Sequence, residues 1–110
     1  MNTRFEYMYR DACNYKWFDE IIVPGMLTLD QLLPFLQDKT FFIPSKIGIP
    51  DLQPPDWTEN DHIWHEITNI NTTQEKPMID ITTEQLLYRF RVAHENKWYE
   101  LSEKVEKWFL

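Results

Sequence analysis

The chain has very little glycine and cysteine and no long apolar run. Gly25 and Gly48 are its only glycines, which excludes the Gly-rich phosphate-binding loops of nucleotide-binding proteins. Cys13 is its only cysteine, which excludes an internal disulfide and a multi-cysteine metal site and favours a reducing compartment. No stretch approaches the roughly 18 apolar residues that span a bilayer, and the first residues do not resemble a signal peptide. We therefore expect a cytoplasmic protein without membrane contact.

Apolar and aromatic residues are plentiful, at 43% and 15% of the chain. Five tryptophans each bring on the order of 200 Å² of surface that can be buried. A length of 110 residues is typical of one domain with one core. We predict a single domain over residues 1–110, with a sheet core over 1–81 and a helical extension over 82–110.

The net charge of −7 is concentrated in one segment of the chain. Residues 49–81 carry seven acidic residues against the single base Lys76, and the flanking segments are close to neutral. A surface of this sign repels phosphate backbones and attracts basic proteins. Direct nucleic-acid binding is therefore disfavoured, and a basic protein is the expected partner. The acidic residues are Asp51, Asp56, Glu59, Asp61, Glu66, Glu75 and Asp80.

Alternating side chains predict a small antiparallel sheet of about four strands. The first strand places Phe5, Tyr7 and Tyr9 on one face, which is the period of a half-buried strand. A β-branched and aromatic run follows after turn-forming residues, so the first two strands form a hairpin. The predicted strands are residues 3–10, 17–23, 40–43 and 63–68, with a short edge strand at 77–81.

Two stretches between these strands predict loops. Residues 45–60 contain Pro50, Pro54 and Pro55, which cannot donate hydrogen bonds to a neighbouring strand. Trp57 lies in this long loop and either holds it to the core or waits for a partner. Residues 69–76 are polar and predict turns.

A Thr-x-x-Gln capping box predicts the start of each of two helices. The first, at Thr28, opens a short helix over about 29–38 in which Pro34 is the weak point, because proline removes a backbone hydrogen bond. The second is at Thr82. It opens a long C-terminal helix of about 25 residues or a helical hairpin, with Asn96 as the expected break. The apolar face of this extension is predicted to contain Leu87, Phe90, His94, Trp98, Leu101, Val105 and Trp108. The fold class is therefore α+β.

Residues 61–66, the histidine–carboxylate cluster, hold two imidazoles and two carboxylates within six positions. Zinc and non-haem metals accept these groups as ligands. On a strand, however, His62 and His65 point to opposite faces, and on a helix their spacing differs from the His-Glu-x-x-His order. A metal site would need a bend and a further ligand, such as His94 or Asp11. We predict no metal and no other cofactor.

A second polar cluster, residues 9–16, lies at the predicted hairpin turn. In one interpretation its charged side chains Arg10, Asp11 and Lys16 bind an anion beside a general base from the histidine–carboxylate cluster. In the interpretation that we favour, Asp11 and Asn14 bond their own turn, and Arg10 pairs across the sheet with an acidic residue. That acidic residue is Glu66 or Asp61.

The enzymatic alternative is a small metal-assisted or acid–base hydrolase or nuclease. Its candidate catalytic residues come from both clusters. A nucleophilic Cys13 is a weaker alternative, because nothing in the local sequence marks the thiol as activated. The candidate residues are Asp61, His62, His65, Glu66, Arg10 and Asp11.

The two clusters resemble those of a family of short, uncharacterised bacterial proteins with Tyr-Arg-Asp-x-x-Asn-Tyr-Lys and Asp-His-x-Trp-His-Glu segments. The resemblance covers about the first 68 residues and implies an ordered core around these polar groups, with no activity attached. In size, acidity and aromatic content the chain is also similar to phage-encoded inhibitors of bacterial defence nucleases, including anti-CRISPR proteins. The resemblance implies a bacterial cell, with a phage or mobile element as a source of the gene. The matching residues are Tyr9, Arg10, Asp11, Asn14, Tyr15, Lys16, Asp61, His62, Trp64, His65 and Glu66.

These observations predict a non-enzymatic interaction protein. It is expected to act as an acidic inhibitor or regulator that docks on a basic nucleic-acid-handling protein, such as a CRISPR effector or another defence nuclease. The long C-terminal helix carries more apolar surface than a small sheet covers, so it is expected to contact this partner or form a homodimer. The predicted contact residues are Asp51, Asp56, Trp57, Glu59, Asp61, Trp98 and Trp108.

Overall fold

A four-stranded antiparallel sheet forms the centre of the structure, a computed structural model that describes residues 1–54 and 57–98. The strands lie in the order β2-β1-β4-β3, so β1 is paired on both sides and β2 forms one edge. The sheet and its flanking helices confirm the α+β class. The strands are β1 (Asn2–Arg10), β2 (Lys16–Pro24), β3 (Phe41–Phe42) and β4 (His65–Thr73).

β1 and β2 form the predicted hairpin. Their last paired residues are Arg10 and Lys16, and Asp11 N–H donates to the Tyr15 carbonyl across the turn at 3.0 Å. Asn14 adopts a left-handed φ of 69°, which asparagine tolerates better than most residues. Side chains alternate along β1 as predicted, and Phe5, Tyr7 and Tyr9 are fully buried on the face that meets the helices.

β4 is longer than the predicted strand 63–68. It begins at His65 and continues through the largely polar residues 69–73, so the prediction of turns over 69–76 is wrong for this part. Pairing with β1 supplies the backbone hydrogen bonds there, whatever the side chains are. A bulge leaves Thr68 as an extra residue, because Glu6 pairs with Asn69 and Tyr7 pairs with Ile67.

The predicted edge strand over 77–81 is also wrong, since these residues form no strand. One backbone hydrogen bond joins them to the sheet, from Met78 N–H to the Ile22 carbonyl at 2.8 Å.

Two short helices lie between β2 and β4. α1 (Leu29–Leu32) begins at the predicted capping box and passes into a 3₁₀ turn, Leu33–Phe35, which contains Pro34. It therefore ends earlier than the predicted 38. α2 (Pro44–Ile47) was not predicted; it uses proline in its first turn and ends at Gly48, whose φ is 83°.

The C-terminal helix, α3 (Thr83–Glu95), begins at the predicted capping box, where Thr82 Oγ1 accepts from Gln85 N–H at 3.1 Å. It is 13 residues long, so a single helix of twice that length is not supported. It ends at Asn96, as predicted, and Trp98 N–H donates to the Ala93 carbonyl at 2.8 Å. The helical prediction for residues 99–110 lies outside the described residues.

The buried face of α3 agrees with the predicted one at Phe90 and differs from it elsewhere. Leu86, Phe90 and Ala93 are buried, whereas His94 is exposed. The helix packs over the sheet, and the ring centroids of Phe90 and Phe42 are 5.5 Å apart. Trp98 is fully buried beside Phe90, so it is a core side chain and not an exposed anchor. None of the described helices is long and apolar enough to cross a membrane.

Candidate functional site

Tyr9 joins the two polar clusters that the sequence singled out. Its hydroxyl donates to Asp61 Oδ1 at 2.5 Å and accepts from His62 N–H at 3.2 Å. Its ring lies 5.0 Å from the His62 ring and 5.3 Å from the His65 ring, between centroids. The sequence predicted a buried Tyr9 but did not predict that its hydroxyl would organise the cluster.

Both ring nitrogens of His62 bond to the backbone. Nδ1 accepts from Trp64 N–H at 3.0 Å, and Nε2 lies 2.7 Å from the Arg10 carbonyl oxygen. A carbonyl only accepts, so Nε2 carries the proton and Nδ1 supplies the lone pair. This neutral tautomer leaves no ring nitrogen for a metal ion or for proton abstraction.

His65 is fully buried and is held in the same way. Nε2 accepts from Leu52 N–H at 3.0 Å, and Nδ1 lies 3.1 Å from the Ile63 carbonyl oxygen, to which it donates. The proton is therefore on Nδ1, the opposite arrangement to that of His62. As in His62, the lone pair of the unprotonated nitrogen, here Nε2, accepts from a backbone N–H group.

The remaining members of the histidine–carboxylate cluster are also bound within the fold. Asp61 Oδ2 accepts from Thr58 N–H at 3.0 Å, and Glu66 Oε2 lies 3.7 Å from Arg10 Nε. No group of three or more histidine, cysteine or acidic side chains in residues 1–54 and 57–98 is arranged to hold a metal ion. The geometry gives no support to the hydrolase alternative.

The hairpin turn confirms the structural interpretation of residues 9–16. Asp11 Oδ1 accepts from the backbone N–H groups of Cys13 and Tyr15, both at 2.9 Å, and Arg10 pairs with Glu66. Arg10 therefore faces a carboxylate within the protein. Cys13 is exposed, and neither clustered imidazole has a lone pair left to activate it.

The histidine–carboxylate cluster anchors residues 50–60, which we call the acidic loop. Leu52 is held by His65, and the Gln53 side-chain amide donates to the His62 carbonyl at 3.3 Å. The Tyr7 hydroxyl donates to the Pro50 carbonyl at 2.6 Å. Asp61 holds the far end through Thr58. Both ends of the loop are thus tied to the core.

Burial and hydrogen bonding shift the pKa values around this anchor. Burial raises the pKa of Tyr7 and of Tyr9 above the usual tyrosine range, and the bond to Asp61 raises that of Tyr9 further. The Tyr9 hydroxyl, followed by donors from Thr58, holds the pKa of Asp61 below its usual range, against the effect of burial. The neutral phenol and the carboxylate therefore stabilise one another.

Six of the seven acidic residues of 49–81 lie in the described part of the chain. Asp61, Glu66 and Glu75 bond within the fold, Glu75 through a close ion pair with Arg4 that lowers its pKa. Asp51, Glu59 and Asp80 are exposed, as is Glu75. Asp56 and Trp108 lie outside the described residues.

Trp57, a predicted contact residue of the acidic loop, is also exposed, with 37% of its surface accessible.

A second acidic surface, which the sequence did not predict, is a groove of about 310 Å³ on the sheet. Glu6, Asp19 and Glu20 line it together with Phe18.

Comparison of the chain with protein families, curated proteins and solved structures finds no match.

Proposed function

We propose that this protein acts by binding, through its acidic loop, a basic surface on another protein. The observation that carries the proposal is the loop itself: its two ends are tied to the buried cluster, while Asp51, Trp57 and Glu59 are exposed. The polar cluster thus acts as the support of a binding surface and has no chemical role.

Anchoring favours binding because a loop held in place loses less conformational freedom when a partner docks. Its exposed carboxylates attract a basic surface and speed the encounter. Trp57 supplies apolar area of the kind that usually dominates the binding energy of an interface. The exposed carboxylates therefore act mainly on the association rate, and Trp57 acts mainly on the dissociation rate.

The proposed partner is a basic nucleic-acid-handling protein of the bacterial cytoplasm, such as a CRISPR effector or another defence nuclease, which the chain inhibits or regulates. Such effectors hold guide and target strands in positively charged channels. The same charge that attracts the protein disfavours the nucleic acid itself. Charge complementarity is the support for this choice.

The test begins with capture of partners from bacterial lysate, followed by association rates for each purified captured protein. Asp51→Lys with Glu59→Lys is compared with a matched double reversal outside the loop, Asp80→Lys with Glu84→Lys, which changes the net charge equally. Only the loop variant should slow association, by about tenfold, and weaken its salt dependence. Trp57→Ala should instead raise the dissociation rate.

Two results would overturn the proposal. One is an equal effect of the two double reversals, because the acidity would then contribute to solubility alone. The other is a captured partner that lacks a basic surface and binds at a rate independent of salt.

A further inference from the structure

β2 leaves one edge of the sheet without a neighbouring strand. Among the strands of residues 1–54 and 57–98 it pairs with β1 alone, and the order of these strands places it at the end of the sheet. The Ile22 carbonyl accepts from Met78 N–H and therefore points away from β1. Backbone groups alternate in direction along a strand, so Lys16, Phe18 and Glu20 also direct their N–H and C=O groups outward.

Almost all of these outward groups are available to a further strand. Of the outward groups of Lys16, Phe18 and Glu20, only Glu20 N–H has a partner in the described part of the chain, the neighbouring Asp19 Oδ1 at 2.8 Å. The side chains beside them include two exposed aromatic rings: Phe18 is 65% exposed and Trp17 is 37% exposed. An exposed aromatic edge with unpaired backbone groups is the usual template for strand addition.

The charges along this edge are complementary to a second copy of themselves. Lys16 and Glu20 lie two residues before and two residues after Phe18, on the same face of the strand. If two copies of β2 run antiparallel with Phe18 opposite Phe18, each Lys16 lies directly opposite Glu20 of the second copy. Opposite charges at facing positions favour pairing, and like charges oppose it.

Hydrogen bonding selects the same register. With Phe18 at the two-fold axis, the outward backbone groups of Lys16, Phe18 and Glu20 in one copy face those of the same three residues in the other. Moving the axis to Asp19 would bring two aspartates together and place Lys16 opposite Ile22, whose carbonyl is already bonded to Met78. Moving it to Trp17 would leave Glu20 opposite the hairpin turn at Asn14.

We propose that two copies of this chain pair through β2 in this register, which joins their sheets into one continuous eight-stranded antiparallel sheet. This differs from a homodimer through the C-terminal helix, because the contact is a strand edge at the opposite end of the chain. The proposal is independent of the acidic loop, and a monomeric protein could still bind a basic partner.

The test is a charge swap across the two-fold axis, followed by sedimentation equilibrium over a range of concentrations. Lys16→Glu alone places two pairs of like charges at the interface and should raise the dimer Kd at least about tenfold. Glu20→Lys alone should do the same with positive charges. An equimolar mixture of the two variants restores every opposite-charge pair and should dimerise as the wild type does.

Lys39→Glu serves as the matched control, because it changes the charge as Lys16→Glu does but lies near β3 at the other edge of the sheet. It should leave the Kd unchanged. Glu20→Lys also removes the ion pair with Arg4, so circular dichroism checks that each variant is folded. A monomeric wild type, single variants that dimerise normally, or a mixture that stays monomeric would each overturn the proposal.

Discussion

The buried imidazole of His65 shows how a polar side chain is accommodated in this core. It is fully buried, yet each ring nitrogen bonds to a backbone group from a different part of the chain. The ring therefore supplies hydrogen bonds to Leu52 N–H, which is partly buried, and to the buried Ile63 carbonyl. Buried polar groups left without a partner are among the costliest local defects in a protein.

His65→Leu should consequently reduce the free energy of unfolding by about 3 kcal/mol, because it removes both bonds and keeps an apolar side chain of similar size. Urea denaturation measures the change, and amide exchange at Leu52 should accelerate. His94→Leu is the control: His94 is exposed, and its loss should change stability by less than about 0.5 kcal/mol. Equal stability of the two variants would mean that His65 does not support the acidic loop.

Among the elements, the start of α3 depends on two residues of the capping box. Thr82 Oγ1 accepts from Gln85 N–H, and Gln85 Oε1 accepts from Thr82 N–H at 2.9 Å. These bonds satisfy two of the donors that a helix leaves open at its first turn. The helix carries Leu86 and Phe90 into the core, so its start fixes how the core closes.

Thr82→Ala should lower the free energy of unfolding by about 1 kcal/mol, the usual value of a helix cap. Thermal or urea denaturation measures it. Thr82→Ser keeps the hydroxyl and should remain close to wild type. If serine and alanine at this position are equally destabilising, the threonine methyl group matters and the cap does not.

The stability of the whole molecule should depend on alkaline pH through Tyr7 and Tyr9. Burial raises both pKa values in the folded protein. Below about pH 10 both hydroxyls are protonated in the folded and unfolded states, so their contribution is complete. Above that pH the unfolded chain releases protons that the folded protein keeps, and the unfolded state is favoured.

We therefore expect the free energy of unfolding to fall by about 1.4 kcal/mol per pH unit for each of the two tyrosines above pH 10. Urea denaturation at a series of pH values measures this slope, and Tyr7→Phe or Tyr9→Phe should each remove one tyrosine's share. At acidic pH the free energy of unfolding instead rises with pH. Because the pKa of Asp61 is lowered in the folded protein, its carboxylate stabilises the fold above about pH 4, and this stabilisation is lost as the pH falls further. An alkaline slope that both variants leave unchanged would contradict the assignment.

Much of the fold follows from short-range patterns that a sequence displays directly. Alternation over 3–10 predicted β1 and its buried face, and the two Thr-x-x-Gln boxes predicted where α1 and α3 begin. The errors arose where distant contacts outweigh local preference. The largely polar residues 69–73 form a strand because β1 pairs with them. α3 buries Leu86 and Ala93 where the pattern predicted Leu87 and His94.

The sequence by itself determined the hairpin, the helix starts, the excess of acidic charge and the grouping of two histidines with two carboxylates, because all of these are local in the chain. Only the tertiary structure decided what the histidines do. Their partners include Arg10 and Leu52, and Tyr9 joins Asp61 across a sequence separation of 52 residues. Lone pairs that looked available for a metal are used by backbone donors, since a buried N–H must find an acceptor wherever the fold provides one.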